Sequence, residues 1–223
     1  MKAILINSMI ALFFFGGCSR AQPNENADAN TLTNQAEHLV RSFSFVNNNH
    51  PEILASALNL LNQAIRKDPS FWPAYSEKLG IQTTLKQLDS ACVTAKQLVV
   101  LRPKDDFFSY LAGEAFERNG DTTTAWNYYK KALVLNSSLL DTMKTTNDKF
   151  RIEKESRATI LILLNQPEKA HEIYQQLFDS EKIPWRKEHY EDLLYMDRHE
   201  RVFGGTLESI IKRMDKEKKH KSN

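Results

Sequence analysis

Apolar side chains recur at every third or fourth position along most of the chain, the spacing that places them on one face of an α-helix. The clearest stripe lies at residues 52–66, where a helix is predicted with its apolar face formed by Ile53, Leu54, Ala57, Leu58, Leu61, Ala64 and Ile65. Stretches that alternate apolar and polar residues, as strands do, are scarce, and the 223 residues include only 7 Gly and 7 Pro. The pattern therefore predicts an all-α fold.

A pair of antiparallel helices is predicted at residues 107–137, with a turn at Asn119, Gly120 and Asp121. Where two such helices cross, a small residue lets their axes approach, and a ring from the other helix fills the remaining space. The small residues of this segment are Gly113, Ala125 and Ala132, and the rings are Phe116 and Tyr129. Their order predicts a tightly packed helical hairpin.

The hairpin pattern returns at a fixed interval. Three sets of positions are each separated by 34 residues: Ala57, Ala91 and Ala125; Ala64, Leu98 and Ala132; Pro69, Pro103 and Ser137. Unrelated hairpins have no reason to share a length, so this register indicates an internal repeat. The chain resembles the tetratricopeptide-repeat (TPR) family over residues 39–137 and, after an insertion, to about residue 178.

The resemblance implies an all-α fold in which antiparallel helical hairpins stack as a short right-handed solenoid, closed by C-terminal capping helices. The repeats are predicted at residues 31–180, as units 38–71, 72–105, 106–139 and 140–180. The first unit is expected to use residues 39–48 and 52–66 as its two helices.

The fourth unit departs from the register. Its small residue and its ring are Ala170 and Tyr174, and Ala170 follows Ala125 by 45 residues. Residues 139–157 therefore contain an insertion. It is either a longer helix or a loop, and its lack of Gly and Pro favours helix.

The C-terminal part is predicted to close the stack. Two helices are expected within residues 181–216, at 186–196 and 206–216, followed by a basic disordered tail at 217–223. A terminal helix that is apolar inside and polar outside keeps the last hairpin from being exposed. The alternative is that basic side chains of residues 212–221 contact anionic lipid headgroups or an anionic partner.

The first residues have the pattern of an export signal. Lys2 precedes an apolar run at residues 3–15 that is too short to span a membrane, and two glycines and Cys18 follow. This resembles the lipobox of bacterial lipoproteins, which implies a signal peptide at residues 1–17, lipidation of Cys18 and a place on the outer membrane of the cell envelope. The alternative is ordinary secretory cleavage near Ala21.

The segment after the export signal is predicted to be a flexible tether. Residues 18–30 contain no large apolar side chain. Such a segment cannot bury enough surface to offset the entropy lost on ordering. The tether would let the folded part move near the membrane surface.

Charge and motif content argue against catalysis and nucleic-acid binding. The formal charge is +2, so no overall basic field favours nucleic acid. The six histidines show no metal-binding spacing, and no phosphate-binding loop or nucleophile motif is present. Cys92 lies on a predicted helix and is expected to be a buried structural thiol. The sequence therefore predicts no enzyme, no cofactor and no metal site.

The TPR resemblance implies a concave groove lined by the first helix of each hairpin, where that family binds peptides or partner helices. The family's groove positions correspond here to Ser42, Val46, Asn49, Ser76, Gly80, Thr83, Phe107, Tyr110, Glu114, Glu117 and Arg118.

The TPR subset that binds a C-terminal carboxylate uses lysine, asparagine and arginine at places held here by Ser42, Val46, Phe107 and Leu111. No such clamp is expected. A partner with apolar or basic side chains suits Phe107, Tyr110, Glu114 and Glu117. The alternative is that the two rings only pack between hairpins.

These features predict a non-catalytic adaptor, lipid-anchored in the bacterial cell envelope, that holds another envelope protein in its groove and helps to assemble an envelope complex. The partner would be a peptide or a helix, and neither nucleic acid nor metal is expected. A second hypothesis is a self-associating structural or regulatory envelope protein that uses the open terminal hairpin as its contact. A third, an enzyme with an unrecognised site, would need a deep pocket with converging titratable groups.

Overall fold

A computed structural model describes the chain at residues 28–45, 51–144 and 148–199. All regular elements in these ranges are α-helices. They are α1 (Ala29–Phe45), α2 (Pro51–Lys67), α3 (Trp72–Thr84), α4 (Leu88–Leu101), α5 (Asp106–Arg118), α6 (Thr122–Asp141), α7 (Asp148–Leu163), α8 (Pro167–Ser180) and α9 (Pro184–His199). Several predictions lie outside the described residues: the signal peptide, Cys18, most of the tether, Val46, Asn49, the helix at 206–216 and the tail.

Successive helices pack against each other as antiparallel pairs, and each pair stacks on the next. In the described part of the chain, α1 with α2, α3 with α4, α5 with α6 and α7 with α8 form four hairpins, and α9 packs on α8. Their buried apolar side chains form clusters spanning α1 to α3, α3 to α7 and α7 to α9. The predicted all-α fold of stacked antiparallel helical hairpins is confirmed.

The small residues that define the repeat occupy matching places in the stack. Ala91, Ala125 and Ala170 are each the fourth residue of their helix, and each is at most 2% exposed. Ala57 is fully buried in α2, which begins at Pro51 and is longer at its start. The second set is also fully buried: Ala64, Leu98 and Ala132. Burial at these positions therefore follows the predicted register.

The turns inside three hairpins share one geometry. Lys86, Gly120 and Asn165 each adopt a left-handed backbone, with φ of 56°, 84° and 58°. The residue after each of them donates its amide hydrogen to a carbonyl five residues back, at 2.8, 2.9 and 2.8 Å. This is the Schellman motif that ends a helix. Lys86 precedes Gly120 by 34 residues and Asn165 follows it by 45, so the turns repeat the spacing of the alanines.

Replacing Lys86 with glycine is expected to stabilise the chain by up to about 1 kcal/mol. A residue with a β-carbon is disfavoured in left-handed backbone by roughly 1–2 kcal/mol, and the greater freedom of glycine in the unfolded chain offsets part of that gain. Asn165→Gly is the matched control, because asparagine tolerates this conformation and should gain less. Thermal unfolding followed by circular dichroism measures both changes. A lower midpoint for Lys86→Gly would contradict the turn geometry.

The first helix begins earlier than predicted. α1 starts at Ala29, whereas the predicted helix began at residue 39 and the predicted tether ran to residue 30. The carboxylate of Asp28 accepts a hydrogen bond from the amide of Thr31 at 2.7 Å and so caps the helix. The residues buried against α2 and α3 are Ala29, Leu32 and Ala36. The sequence did not reveal this stripe because small alanines form most of it.

The insertion in the fourth unit is divided between two helices and a connection. α6 continues to Asp141, and α7 begins at Asp148. Ser137 takes the place that prolines hold after α2 and α4. Unlike proline, serine keeps its amide donor, so α6 can continue past it. Both alternatives are therefore partly right: most of the extra length is helical, and a connection starting at Thr142 interrupts it.

α9 packs on the hairpin formed by α7 and α8. Tyr190 on α9 is fully buried among side chains of α7 and α8. The guanidinium of Arg151 on α7 donates to Glu155 at 2.5 Å and to the Tyr190 hydroxyl at 3.1 Å, and that hydroxyl donates to Glu155. An ion pair between Arg186 and Asp148, at 3.1 Å, adds a second contact with α7. A buried ring and a polar cluster therefore hold α9 in place.

Candidate functional site

The predicted groove positions of the first two units that the structure describes do not converge on a site. Ser42 and Thr83 are half-buried, and their hydroxyl groups donate to carbonyl oxygens of their own helices at 2.7 and 2.9 Å. Ser76 is half-buried on α3, and Gly80 leaves open space where a side chain would lie. This part of the groove therefore offers little specific chemistry.

The third unit supplies an aromatic surface. Phe107 on α5 is 55% exposed, and its ring stacks on that of Tyr110, with ring centroids 6.5 Å apart. Tyr110 is half-buried and contacts the ring of Tyr129, whose centroid is 6.2 Å away. Burial raises the pKa of Tyr110 to about 12, so its hydroxyl remains protonated at neutral pH. Tyr110 packs within the stack, whereas Phe107 keeps half of its surface available to a partner.

The acidic pair predicted to bind a partner is engaged within the third hairpin. The Tyr129 hydroxyl donates to Glu117 at 2.6 Å, and Glu114 lies 4.0 Å from the guanidinium of Arg118. Burial raises the pKa of Glu114, although Arg118 opposes the shift. Glu117 also borders a separate cleft of about 270 Å³ beside Trp126. Both carboxylates therefore have partners within the chain.

A larger cleft, with a volume of about 920 Å³, opens between α5 and α7. Its walls come from the loop after α4, the start of α5, the end of α6 and one face of α7. The apolar residues that line it are Leu101, Pro103, Phe107, Tyr110, Leu139, Ile152 and Ile160. Ile152 is 50% exposed, so α5 and α7 each contribute one large, half-exposed apolar side chain.

The wall formed by α7 was not found from the sequence. Ile152 and Glu153 lie in the insertion at residues 139–157, to which the 34-residue register assigns no groove position. The sequence does contain one relevant pattern. Ile152, Ser156 and Thr159 have i, i+4, i+7 spacing, which places them on one face of a helix. The departure from the repeat therefore builds one side of the cleft.

Two carboxylates in this cleft are held by one buried amide. Asn136 on α6 has no exposed surface, and its Nδ2 donates to Asp106 Oδ2 at 2.9 Å and to Glu153 Oε2 at 3.2 Å. The same Nδ2 donates to the backbone oxygen of Glu153 at 3.2 Å. Burial raises the pKa of Glu153, and the negative charge of Asp106 raises it further. Asn136 therefore links α5, α6 and α7 and brings two like charges to one amide group.

The basic groups of the cleft lie at its rim. Its exposed charged residues are Arg102, Lys104 and Lys149, and its half-buried ones are Asp105, Asp106 and Glu153. Arg102 pairs with Asp105 at 3.4 Å, and its guanidinium lies 5.1 Å from the ring centroid of Trp72. Negative charge is therefore concentrated inside the cleft, and positive charge is concentrated at its edge.

Outside the cleft, the thiol of Cys92 is structural. Cys92 is buried, and its Sγ donates to the carbonyl oxygen of Ala115 at 3.4 Å. Burial raises the pKa of this thiol, which keeps it protonated and unreactive. Among the described residues, no three Asp, Glu, His or Cys side chains are arranged to hold a metal ion. None of the helices in those ranges combines the length and apolar character that a membrane span requires.

Comparison with known proteins finds solved structures of similar shape but no matching sequence family. No protein-family model matches the chain, and no curated protein matches it. A crystal structure of MamA is 12% identical with a TM-score of 0.45, over 68% of this chain and 77% of that one. MamA 41-end from Desulfovibrio magneticus RS-1 is 15% identical with a TM-score of 0.40, over 68% of this chain and 93% of that one.

A third similar structure is that of Naa15/Naa10 bound to HypK-THB. It is 18% identical with a TM-score of 0.35, over 69% of this chain and 26% of that one. At these identities and scores the likenesses say nothing about function. The fold is established by the helices and turns of the chain itself.

Proposed function

We propose that this chain is a non-catalytic adaptor of the bacterial cell envelope, anchored through a lipid on Cys18, that binds a peptide or helix of another envelope protein. The cleft between α5 and α7 is the binding site in this proposal. The observation that carries it is the placement of Phe107 and Ile152, two large apolar side chains that stay half-exposed in a concave site.

Two properties of the cleft favour binding of a protein segment. The apolar surface that a partner covers is removed from water, which favours association. A few anchors that fill pockets carry most of the energy of an interface, and aromatic residues are enriched among them. The amide of Asn136 already holds α5 and α7 in place, so binding requires little ordering of the walls.

The proposal predicts a site-specific crosslink. With para-benzoylphenylalanine at position 152, the full chain in intact cells is expected to crosslink to a small set of discrete proteins, because this side chain lines the cleft. Phe107→Ala in the same chain should lower the crosslink yield about five-fold or more, since truncating an aromatic anchor costs more than about 1 kcal/mol. Immunoblotting of the crosslinked bands measures both effects.

Position 134 is the matched control for the crosslink. Val134 is 65% exposed on α6 and does not line the cleft. The cleft would be ruled out as the binding site if positions 152 and 134 crosslink equally. It would also be ruled out if Phe107→Ala leaves the crosslink yield unchanged. A crosslink to a second copy of this chain would support the self-associating alternative instead.

A further arm of the same experiment tests the anchor. In cells that carry Cys18→Ser, the chain is expected to lose lipid labelling and to leave the membrane fraction. Unchanged labelling would show that another residue carries the lipid. Absence of labelling in the wild-type chain would favour secretory cleavage near Ala21.

A further inference from the structure

We infer that the cleft recognises its partner through a lysine or arginine side chain that enters beside Asp106 and Glu153, while an adjacent apolar side chain packs on Phe107 and Ile152. This inference rests on the proposed adaptor function and adds the chemistry of the partner segment. Charge complementarity inside a preformed, partly apolar cleft supports it.

Asp106 and Glu153 both accept from one amide nitrogen, which carries two hydrogens. The Nδ2 of Asn136 lies 2.9 Å from one carboxylate and 3.2 Å from the other. Two carboxylates carry four acceptor oxygens, more than one amide group can satisfy. An ammonium or guanidinium group is a donor without acceptors, so it matches this surplus of acceptors.

Among the residues that the structure describes, the nearby cations leave this acidic pair undercompensated. Arg102 is engaged by Asp105 and by the ring of Trp72. Lys149 on α7 lowers the pKa of Glu153 and so favours its ionised form. Burial and the charge of Asp106 have the larger effect, and the pKa of Glu153 is raised. The pair is therefore left with negative charge in a half-buried place, where salt screens charges less than at the open surface.

The aromatic wall suits the same ligand. Phe107 and Tyr110 stack on each other beside the acidic pair. Ring faces attract ammonium and guanidinium groups, and the long aliphatic stems of lysine and arginine pack on apolar surface. A phosphate or a C-terminal carboxylate would be repelled by both acidic side chains. The cleft therefore selects basic over acidic segments.

Keeping Glu153 ionised destabilises the isolated chain. Its pKa is raised first by burial and next by Asp106, with a further contribution from Asp105, while Lys149 and the amide of Asn136 oppose the shift. Binding sites often lower the stability of a fold in order to match a ligand. An ionised Glu153 fits this pattern.

A selection from random peptides displayed on phage tests this inference. With the full chain in detergent as the target, the enriched peptides are expected to carry lysine or arginine next to a large apolar residue. The best peptide is then synthesised in two forms, with the basic residue intact and with norleucine in its place. Fluorescence anisotropy should show binding at least about ten-fold weaker for the norleucine form, as loss of a partly buried charge pair predicts.

Charge-matched variants of the chain locate the binding. Asp106→Asn/Glu153→Gln should weaken the basic peptide about ten-fold or more and leave the norleucine peptide nearly unchanged. Glu172→Gln/Glu188→Gln is the control, because both side chains are exposed on α8 and α9 and the change in net charge is the same. Equal weakening by the two double variants would attribute the effect to net charge and overturn the inference.

The other outcomes separate this inference from the proposed function. Enriched peptides that lack a basic residue but depend on Phe107 and Ile152 would overturn the basic anchor and leave the adaptor function standing. Basic peptides that bind Asp106→Asn/Glu153→Gln as well as wild type would place the contact elsewhere. Absence of any enrichment above an unrelated helical protein would overturn both.

The stability of Glu153→Gln provides a second readout. Because folding raises the pKa of Glu153 above 4.5, the ionised carboxylate weakens the fold above the folded-state pKa, and this penalty disappears below about pH 4.5. The variant should therefore be more stable than wild type at pH 7, and the two should converge as the pH falls below 4.5. A variant that is less stable at pH 7 would show that the ionised carboxylate stabilises the fold on balance and would contradict the inference.

Discussion

Gly113→Ala is expected to destabilise the protein by about 1–3 kcal/mol, although alanine normally strengthens a helix. A methyl group at Gly113 on α5 would overlap three carbon atoms of the Tyr129 ring on α6. That ring is 2% exposed, and its hydroxyl is bound to Glu117. It cannot move aside without losing packing or the hydrogen bond. Urea unfolding of the full chain measures the loss.

Gly80 supplies the control for this change. It is a helical glycine with open space where a β-carbon would lie, so Gly80→Ala should stabilise the chain by about 0.5–1 kcal/mol. Trimming the ring should relieve the overlap, and Gly113→Ala/Tyr129→Leu is therefore expected to cost less than the sum of the two single changes. If alanine stabilises the chain equally at positions 80 and 113, then α5 and α6 do not approach as closely at Gly113 as the structure shows.

Tyr190→Ala is expected to release α9 from the stack, because it removes a fully buried ring at a local cost of about 3–5 kcal/mol. The pKa of this tyrosine is raised to about 12, mainly by burial, so its hydroxyl is protonated and can donate to Glu155 at neutral pH. The substitution also takes an acceptor from Arg151. Hydrogen exchange should become faster in α9 and on the face of α8 that it covers, with little change in α1 to α4.

Tyr190→Phe separates the ring from its hydroxyl. It keeps the packing and loses only the polar contacts, so a smaller loss of about 1–3 kcal/mol is expected. The same exchange experiment compares the two variants. If Tyr190→Ala speeds exchange equally in all the described helices, the stack unfolds as one unit, and α9 does not act as a local cap.

The candidate binding site arises where the repeat is broken. In a regular array the fourth hairpin would begin 34 residues after the third. Here α6 extends to Asp141 and α7 is longer at its start, so that Leu139, Ile152 and Glu153 form the wall opposite Phe107. Extra residues in a repeat protein commonly add to its binding face. The cleft and its acidic pair therefore depend on the insertion, whereas the remaining stack serves to hold them in place.

The repeat could be predicted because its cause is local. The small residues Ala57, Ala91 and Ala125 indicate where two helices must approach closely, and this requirement recurs at a fixed spacing. The turn at Lys86 was harder to predict, since lysine has no preference for left-handed backbone. Its geometry nevertheless matches that at Gly120, and the same type of hydrogen bond closes both turns. The start of α1 was missed for a related reason, as alanines give a weak apolar signal.

Among the predicted groove residues, too, some surroundings could be predicted from the sequence and others could not. Phe107 and Tyr110 line the cleft, as expected of the first helix of the third hairpin. Glu114 and Glu117 were predicted to face a partner, but they are engaged by Arg118 and Tyr129. Side-chain hydrogen bonds of this kind depend on distances across a hairpin, which spacing along a sequence does not supply.

The amino-acid sequence by itself determined the helical class, the 34-residue register and the small residues at each crossing, because these follow from periodicity and side-chain size. Only the tertiary structure decided that Asn136 joins α5 to α7, and that Asp106 and Glu153 meet in the cleft beneath Phe107 and Ile152. The reason is physical. Asp106 and Glu153 are 47 positions apart, and their proximity depends on how far α6 extends before the chain turns back.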